Sequence, residues 1–213
     1  FKDVRKRTWL AQNRLREPLR KQFQNVLKNF FNTFGKKVKT AYSNRSLIEL
    51  DVELRKQSDQ LKRIFRVQYM TIASAFKSYA TGKFFVKDFD SEFNDRLEEF
   101  IDTNTGFWVT EIDDTTRKRL AKVIDSSYND GLSTEATGTA LRNTLIGMGV
   151  YRSNLIARTE THRVASFANE AVAESMKIKG TIKEWIAIQD ERTRFTHSIA
   201  SGQKTALESK FVV

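Results

Sequence analysis

The sequence predicts a mainly α-helical protein, because turn residues are scarce and apolar residues recur with the period of a helix. Nine glycines and one proline, Pro18, in 213 residues leave few positions for turns. Strand-like runs are confined to residues 182–188 and 211–213. We therefore expect a long N-terminal helical hairpin, followed by a compact helical module with a small C-terminal β element.

The first helix of the hairpin is predicted over residues 2–34. Its apolar side chains recur at steps of three and four, as in the run from Phe23 to Phe30. Pro18 lies inside this pattern and predicts either a kink or a fresh helix start. Gly35, which two lysines follow, predicts the end of the helix.

The second helix is predicted to begin at a capping box in which Ser46 pairs with Glu49, and to run to about Ala80. Two amphipathic helices with a short connection are expected to pack antiparallel. The sign of the charge changes just after residues 81–83. This places the domain boundary between a basic hairpin, residues 1–82, and a C-terminal module, residues 83–213.

Glycine-containing breaks divide the C-terminal module into shorter predicted helices. Breaks are expected at residues 104–106 and 147–149, and a turn at residues 129–131, after which Ser133 or Thr134 is expected to cap the next helix. A further helix is expected from Ile156 to a stop at Gly180. The strand that follows is predicted to begin near Lys183 and to pair with residues 210–213.

Composition narrows the class of protein. The chain has no cysteine, which excludes disulfides and thiolate metal sites and fits assembly in a reducing cytoplasm. No apolar run reaches the roughly 18 residues of a membrane-spanning helix. The chain begins at Phe1 rather than Met, so we expect it to be part of a longer protein. We find no Walker loop and no dinucleotide fingerprint, and we expect no cofactor.

The charge is distributed unevenly between the two halves. Residues 1–87 hold 21 Lys and Arg against 6 Asp and Glu, a net +15, and residues 88–213 hold 16 against 20, a net −4. Such asymmetry indicates a polyanionic partner for the first half. The alternative is a solvated helix face. The residues predicted to contact nucleic acid phosphates or an acidic partner are Lys2, Arg5, Lys6, Arg7, Arg14, Arg16, Arg20 and Lys21.

A second candidate site is a polar corner between the helix from Ile156 and the strand near Lys183. It comprises Arg158, Glu160, Asp190, Arg192, Arg194 and His197. Guanidinium and carboxylate groups in this number favour ion pairs that fix the corner, with Arg158 or Arg194 bound to Glu160 or Asp190. The alternative is a divalent-metal or acid–base set of Glu160, Asp190 and His197.

The C-terminal half resembles the Mu F-like phage head morphogenesis family, the minor head proteins of tailed phages. The resemblance covers about residues 115–202. It depends on the ordered series Arg158-Thr159-Glu160, Lys183-Glu184-Trp185, Asp190-Glu191-Arg192-Thr193-Arg194 and His197. Many family members continue to a Pro-containing tail with a cysteine pair, which is missing here.

The resemblance implies a minor structural protein inside the capsid near the portal, assembled in the host cytoplasm. It would aid head assembly and genome packaging or ejection, as a possible homo-oligomer on the portal ring and without a membrane. Its basic half would contact double-stranded DNA or an acidic portal surface. Two alternatives stay open: an enzyme that uses Glu160, Asp190, Arg194 and His197, and a helical nucleic-acid-binding scaffold unrelated to phage.

Overall fold

The computed structural model describes residues 2–44, 46–84, 90–176, 179–187 and 194–212. Side chains are described for all of these except residues 2–6, 47, 83 and 84. Four long helices dominate this part of the chain, which confirms the predicted mainly α fold. In chain order the elements are α1 (Lys2–Ser43), α2 (Leu47–Phe84), α3 (Asp90–Asn129), α4 (Thr134–Ser175), β1 (Ile182–Glu184), α5 (Phe195–Ala200) and β2 (Lys204–Ala206).

The four long helices form an antiparallel bundle. Each packs on its neighbours in sequence, and α1 closes the bundle by packing along α4. The helices α2 and α4 also touch across one diagonal, whereas no Cα atoms of α1 and α3 approach within 8 Å. The helices α1 and α3 therefore occupy opposite corners and run in the same direction, with α2 and α4 between them.

The core extends through the bundle and draws on all four helices. Phe23 of α1 meets Phe65 of α2 edge to face, with ring centroids 5.4 Å apart. Phe100 of α3 stacks on Phe167 of α4 at 4.4 Å. The predicted boundary between residues 82 and 83 stays a prediction, and side chains from both sides of it share this core.

Three predicted helix ends are wrong, because the glycines at these positions lie inside long helices. Gly35 lies within α1, Gly106 within α3, and Gly147 and Gly149 within α4. Two of them serve close packing of α1 on α4. A Cβ atom at Gly149 would lie 2.5 Å from the Phe31 Cβ, and one at Gly35 would lie 3.2 Å from the Arg142 carbonyl oxygen. The helix α1 also continues through Pro18, without a fresh start.

The predicted helix caps are confirmed where a serine side chain forms the cap. Ser46 Oγ accepts a hydrogen bond from the Glu49 N–H at 3.1 Å, as half of the predicted capping box. Ser133 caps α4 by accepting from the Ala136 N–H at 3.2 Å. The turn before it includes Gly131 at φ 64°, a conformation that glycine adopts without strain.

The small β element is present, but the predicted pairing with residues 210–213 is wrong. The strand β1 pairs antiparallel with β2, so that Lys183 faces Thr205. Gly202, at φ 93°, lies in the turn before β2 and donates its N–H to the Trp185 carbonyl oxygen at 2.8 Å. Phe211 instead packs its ring against Trp185 at 5.3 Å. Phe211 thus packs against the two-stranded sheet without extending it, and residue 213 lies outside the described residues.

Among the described residues, no helix combines the length and the apolar character that crossing a membrane requires.

Candidate nucleic-acid interface

Four cations follow one line along α1, which we call the basic stripe: Arg7, Arg14, Lys21 and Lys28. A spacing of seven residues is close to two helical turns, so these side chains leave the same face at intervals of about 10.5 Å. Arg14 and Lys21 are exposed and Lys28 is half-buried. Within the described residues, no carboxylate lies within 4 Å of the charged groups of Arg14, Lys21 or Lys28.

Two of the predicted contact residues are engaged inside the protein. Arg20 forms an ion pair with Glu17 at 2.9 Å and donates to the Asn154 side chain of α4, also at 2.9 Å. Arg16 is half-buried, and its Nε has no hydrogen-bond partner in the described structure. Burial lowers the pKa of Arg16, and the neighbouring Glu17 partly offsets this. These two arginines therefore belong more to the α1–α4 contact than to a ligand surface.

Of the remaining predicted contact residues, some have exposed side chains and the others have side chains outside the described part of the structure. Arg7 is exposed, like Arg14 and Lys21, whereas the side chains of Lys2, Arg5 and Lys6 lie outside the described residues. Lys28 was missed by the sequence reasoning, which followed the density of charge in the first part of α1. The interval of seven residues from Arg7 onward is the signal that could have found it.

Charge is segregated across the bundle. The helix α1 holds 12 Lys and Arg against 2 Asp and Glu, a net +10, whereas α3 holds 5 against 10, a net −5. Between them, α2 carries a net +3, from 7 against 4, and α4 is neutral, from 4 against 4. The most basic and the most acidic helix thus lie at opposite corners, so the positive potential is concentrated at the α1 corner.

The described members of the predicted polar corner form no ion pair with one another. Arg158 on α4 and Arg194 before α5 are both exposed, and neither lies within 4 Å of the Glu160 carboxylate. Asp190 and Arg192 lie outside the described residues. Among the described residues, the predicted pairing of Glu160 with an arginine of the corner is not formed.

His197 lies in a separate place from Glu160. Its ring packs edge to face on Trp185, with centroids 5.4 Å apart. The two-stranded sheet of β1 and β2 contacts α4 through an ion pair from Lys183 Nζ to Glu170 Oε1 at 2.6 Å. Glu170 lies about 15 Å further along the helix than Glu160. Glu160 and His197, the described members of the alternative metal or acid–base set, thus lie in different parts of the structure.

Glu160 instead occupies the centre of the bundle. Its side chain is fully buried, and Oε2 accepts a hydrogen bond from the Tyr69 hydroxyl of α2. Arg163, three residues on, places its Nε 3.7 Å from Oε1. The Trp108 indole N–H of α3 is close enough to lower the pKa of this carboxyl, yet Trp108 Nε1 and Glu160 Oε1 both lack a hydrogen bond of good geometry. Three helices thus meet at one buried acid.

Burial sets the ionisation of this centre. It raises the pKa of Glu160, and Tyr69, Arg163 and Trp108 partly counter it because they favour the charged form. Burial and the adjacent Glu160 carboxylate raise the pKa of the Tyr69 hydroxyl far above its usual range. The arrangement suits a structural hydrogen bond between helices. The Glu160 side chain has no exposure to solvent, so a substrate in solution does not reach its carboxylate in this conformation.

His162, the other histidine, lies on the exposed side of α4. The protein around its ring and the positive charge of Arg16 lower its pKa, so that it stays neutral to lower pH than a free histidine. Across the described residues, no group of three or more His, Cys, Asp or Glu side chains is placed to hold a metal ion.

An open groove of about 600 Å³ lies at the end of the bundle where α3 turns into α4. Tyr42, Asp125, Tyr128 and Thr137 contribute to its walls. Among the described residues its lining includes one carboxylate and no cation, so the groove differs in charge from the basic stripe.

The described residues form an antiparallel four-helix bundle, followed in the chain by a small two-stranded antiparallel sheet with α5 between its strands. Comparisons with models of protein families, with curated proteins and with solved structures found no match. The resemblance to the Mu F-like family therefore stays an expectation from the sequence motifs.

Proposed function

We propose that this chain is a non-catalytic structural protein that binds double-stranded DNA through the phosphates, by way of the basic stripe. By its motifs, it would act as a minor head protein of a tailed phage, inside the capsid near the portal. The observation that supports DNA binding is that Arg14 and Lys21 are exposed on α1 and that, within the described residues, no carboxylate lies within 4 Å of their charged groups. Cations that form no close ion pair in the protein can contact phosphates without breaking one, and each such contact releases counterions from the DNA.

The form of the stripe favours phosphate contacts over base readout. Four cations spaced by about 10.5 Å along one helix form a line of charge. The residues exposed between them on α1 include Gln22, Asn25 and Asn29. The helix α1 nevertheless packs along its length on α4, so only its outer face is open to a ligand. It does not project from the protein as an isolated recognition helix would. Affinity should therefore depend little on sequence.

Binding to random duplex DNA is expected in the generic range of roughly 10⁻⁴–10⁻⁶ M at physiological salt. The logarithm of affinity should fall linearly with the logarithm of salt concentration, by about 0.9 for each phosphate neutralised. Replacing Arg14 and Lys21 by alanine should reduce that slope by up to about two units. A fluorescence anisotropy titration at several salt concentrations measures both quantities.

The matched control removes the same charge from the opposite corner of the bundle. Lys118 and Lys122 are exposed on α3, and the double alanine variant also lowers the net charge by two. If the two double variants lose affinity equally, the affinity for DNA is determined by the net charge of the chain and not by the basic stripe. If salt-sensitive binding is found for an isolated portal and not for DNA, the basic stripe serves the acidic portal surface instead.

The place of action requires a separate test, because a scaffold unrelated to phage would bind DNA in the same way. Mass spectrometry of purified, DNA-filled heads is expected to detect the chain. Its absence from heads, together with stripe-dependent DNA binding, would favour the nucleic-acid-binding scaffold.

A further inference from the structure

We infer that the chain self-associates side by side, with the basic stripe of one copy against an acidic stripe on α3 of the next. The acidic stripe comprises Asp95, Glu99 and Asp102, which are spaced by four and three residues and so lie on one face. All three are exposed. Within the described residues no cation lies within 4 Å of their carboxylates. A second copy offers the complementary surface, because each copy carries both stripes.

The positions of the stripes decide the symmetry of the contact. They lie on α1 and α3, at opposite corners of the bundle. One pair of copies therefore cannot form both contacts at once, so the contact is heterologous and leaves a stripe free on each side. Because α1 and α3 run in the same direction, copies with parallel bundle axes bring the two helices together in parallel, and this is the arrangement that we propose. Such a contact produces a ring if the rotation closes and an open chain if it does not.

The heights of the stripes along the bundle can be compared through α2. Phe23 of α1 contacts Phe65 of α2, and the adjacent Arg66 reaches Glu98 of α3 with N and O atoms 2.6 Å apart. Tyr69 contacts Phe100, with ring centroids 5.8 Å apart. Residues of α1 and α3 at equal height therefore differ in number by roughly 80.

Applied to the stripes, this relation pairs cations with acids. Arg14 lies within about one helical turn of the height of Asp95, and Lys21 within about one turn of that of Asp102. Both pairs repeat after seven residues. Two parallel bundles placed side by side with little axial displacement thus align the opposite charges. Because exposed ion pairs are individually weak, association should require low salt and should disappear as screening increases.

DNA and the neighbouring copy use the same basic stripe, so the two ligands should compete. The inference does not depend on DNA binding, since it follows from the acidic stripe and its height. It adds a consequence: free DNA should dissociate the assembly, because phosphates displace the α3 carboxylates from Arg14 and Lys21.

Two charge-reversed chains test the contact by complementation. One carries Arg14→Glu and Lys21→Glu, so that the two facing positions of its α1 stripe become acidic, and the other carries Asp95→Lys and Asp102→Lys, so that the two facing positions of its α3 stripe become basic. Sedimentation velocity at low salt should show species larger than a dimer for the unchanged chain. Each reversed chain alone should be monomeric, with association weakened at least about tenfold. An equimolar mixture of the two should regain the large species, since every contact then joins opposite charges.

Monomers of the unchanged chain at all protein concentrations, or a dimer that survives the Asp95 and Asp102 reversal, would overturn the inference. Failure of the mixture to associate would do the same. DNA binding by the reversed chains separates this result from the proposed function. The chain with the α3 reversal should bind duplex DNA at least as tightly as the unchanged chain, and the chain with the α1 reversal should not bind. Loss of self-association with this DNA pattern would leave the proposed function intact.

Discussion

Gly149→Ala is expected to destabilise the protein by about 1–3 kcal/mol, whereas Gly147→Ala is expected to stabilise it by about 0.5–1 kcal/mol. The two glycines lie one turn or less apart on α4 and differ in what surrounds them. A Cβ at Gly149 would lie 2.5 Å from the Phe31 Cβ of α1. A Cβ at Gly147 would meet nothing within 4 Å, and that position is exposed. Urea unfolding followed by circular dichroism measures both effects.

A double variant identifies the cause. Phe31 is fully buried, and Phe31→Ala removes the ring atoms that would lie 3.1 and 3.3 Å from the new Cβ of Gly149→Ala, although the Phe31 Cβ remains. Part of the cost of Gly149→Ala should therefore be relieved in the Phe31→Ala background, a non-additivity typical of residues in contact. Additive costs, or equal effects of the two glycine changes, would show that the α1–α4 distance is not limited at this position.

These glycines also show why the sequence yields the helical class but not the helix ends. A glycine within a segment of helical period can mark either the end of a helix or a site where two helices pack closely, and the sequence does not distinguish the two. Gly35 and Gly149 allow α1 and α4 to approach, and this contact joins residues more than a hundred positions apart. Ser46 and Ser133, whose side chains cap a helix locally, could be predicted because their partners are three residues away.

The charge asymmetry could be predicted from composition, and its arrangement could not. The count of Lys and Arg identifies the basic half. Glu17, three residues before Arg20, gives a local reason to expect one neutralised arginine. That α1 and α3 occupy opposite corners depends on the packing of all four helices, and so does the correspondence in height between Arg14 and Asp95.

The motif residue Glu160 was recognised, but its partners were not. The sequence reasoning placed it in a corner with Arg158 and Arg194, because arginines nearby in a motif are the obvious partners. Its hydrogen-bond donor is Tyr69, on a helix 91 positions earlier in the chain. Tyr69 belongs to a mostly apolar stripe of α2, and nothing local distinguishes its hydroxyl from that of an ordinary core tyrosine.

Tyr69→Phe is expected to cost about 1–3 kcal/mol of unfolding free energy at neutral pH, because it leaves the buried Glu160 without its hydrogen-bond donor. The ring and its contacts with Phe65 and Phe100 are kept, so that the change isolates the hydroxyl. Tyr42→Phe, at a half-buried tyrosine of α1 outside this centre, is the matched control and should change stability by less than about 0.5 kcal/mol. Equal costs for the two would remove Glu160 from the explanation.

The dependence on pH follows from the direction of the Glu160 pKa. Burial raises it above the value of 4.5 for an unperturbed glutamate, so the folded state binds the proton more tightly than the unfolded state. The stabilisation from the protonated carboxyl is complete below pH 4.5 and is lost as the pH rises through the folded pKa. Glu160→Gln, which stays neutral, should gain on the unchanged chain over that range. The gain is about 1.4 kcal/mol for each pH unit by which the folded pKa exceeds 4.5.

The effects of Tyr69→Phe and Glu160→Gln on the free energy of unfolding should change with pH in opposite directions. The Tyr69 hydroxyl favours the charged carboxylate, so Tyr69→Phe should raise the Glu160 pKa further and cost more at pH 8 than at pH 4. In the Glu160→Gln background this dependence on pH should vanish. Urea unfolding of the four chains between pH 4 and pH 8 measures the cycle. A cost of Tyr69→Phe that is the same at both pH values would mean that Glu160 does not change its ionisation over this range.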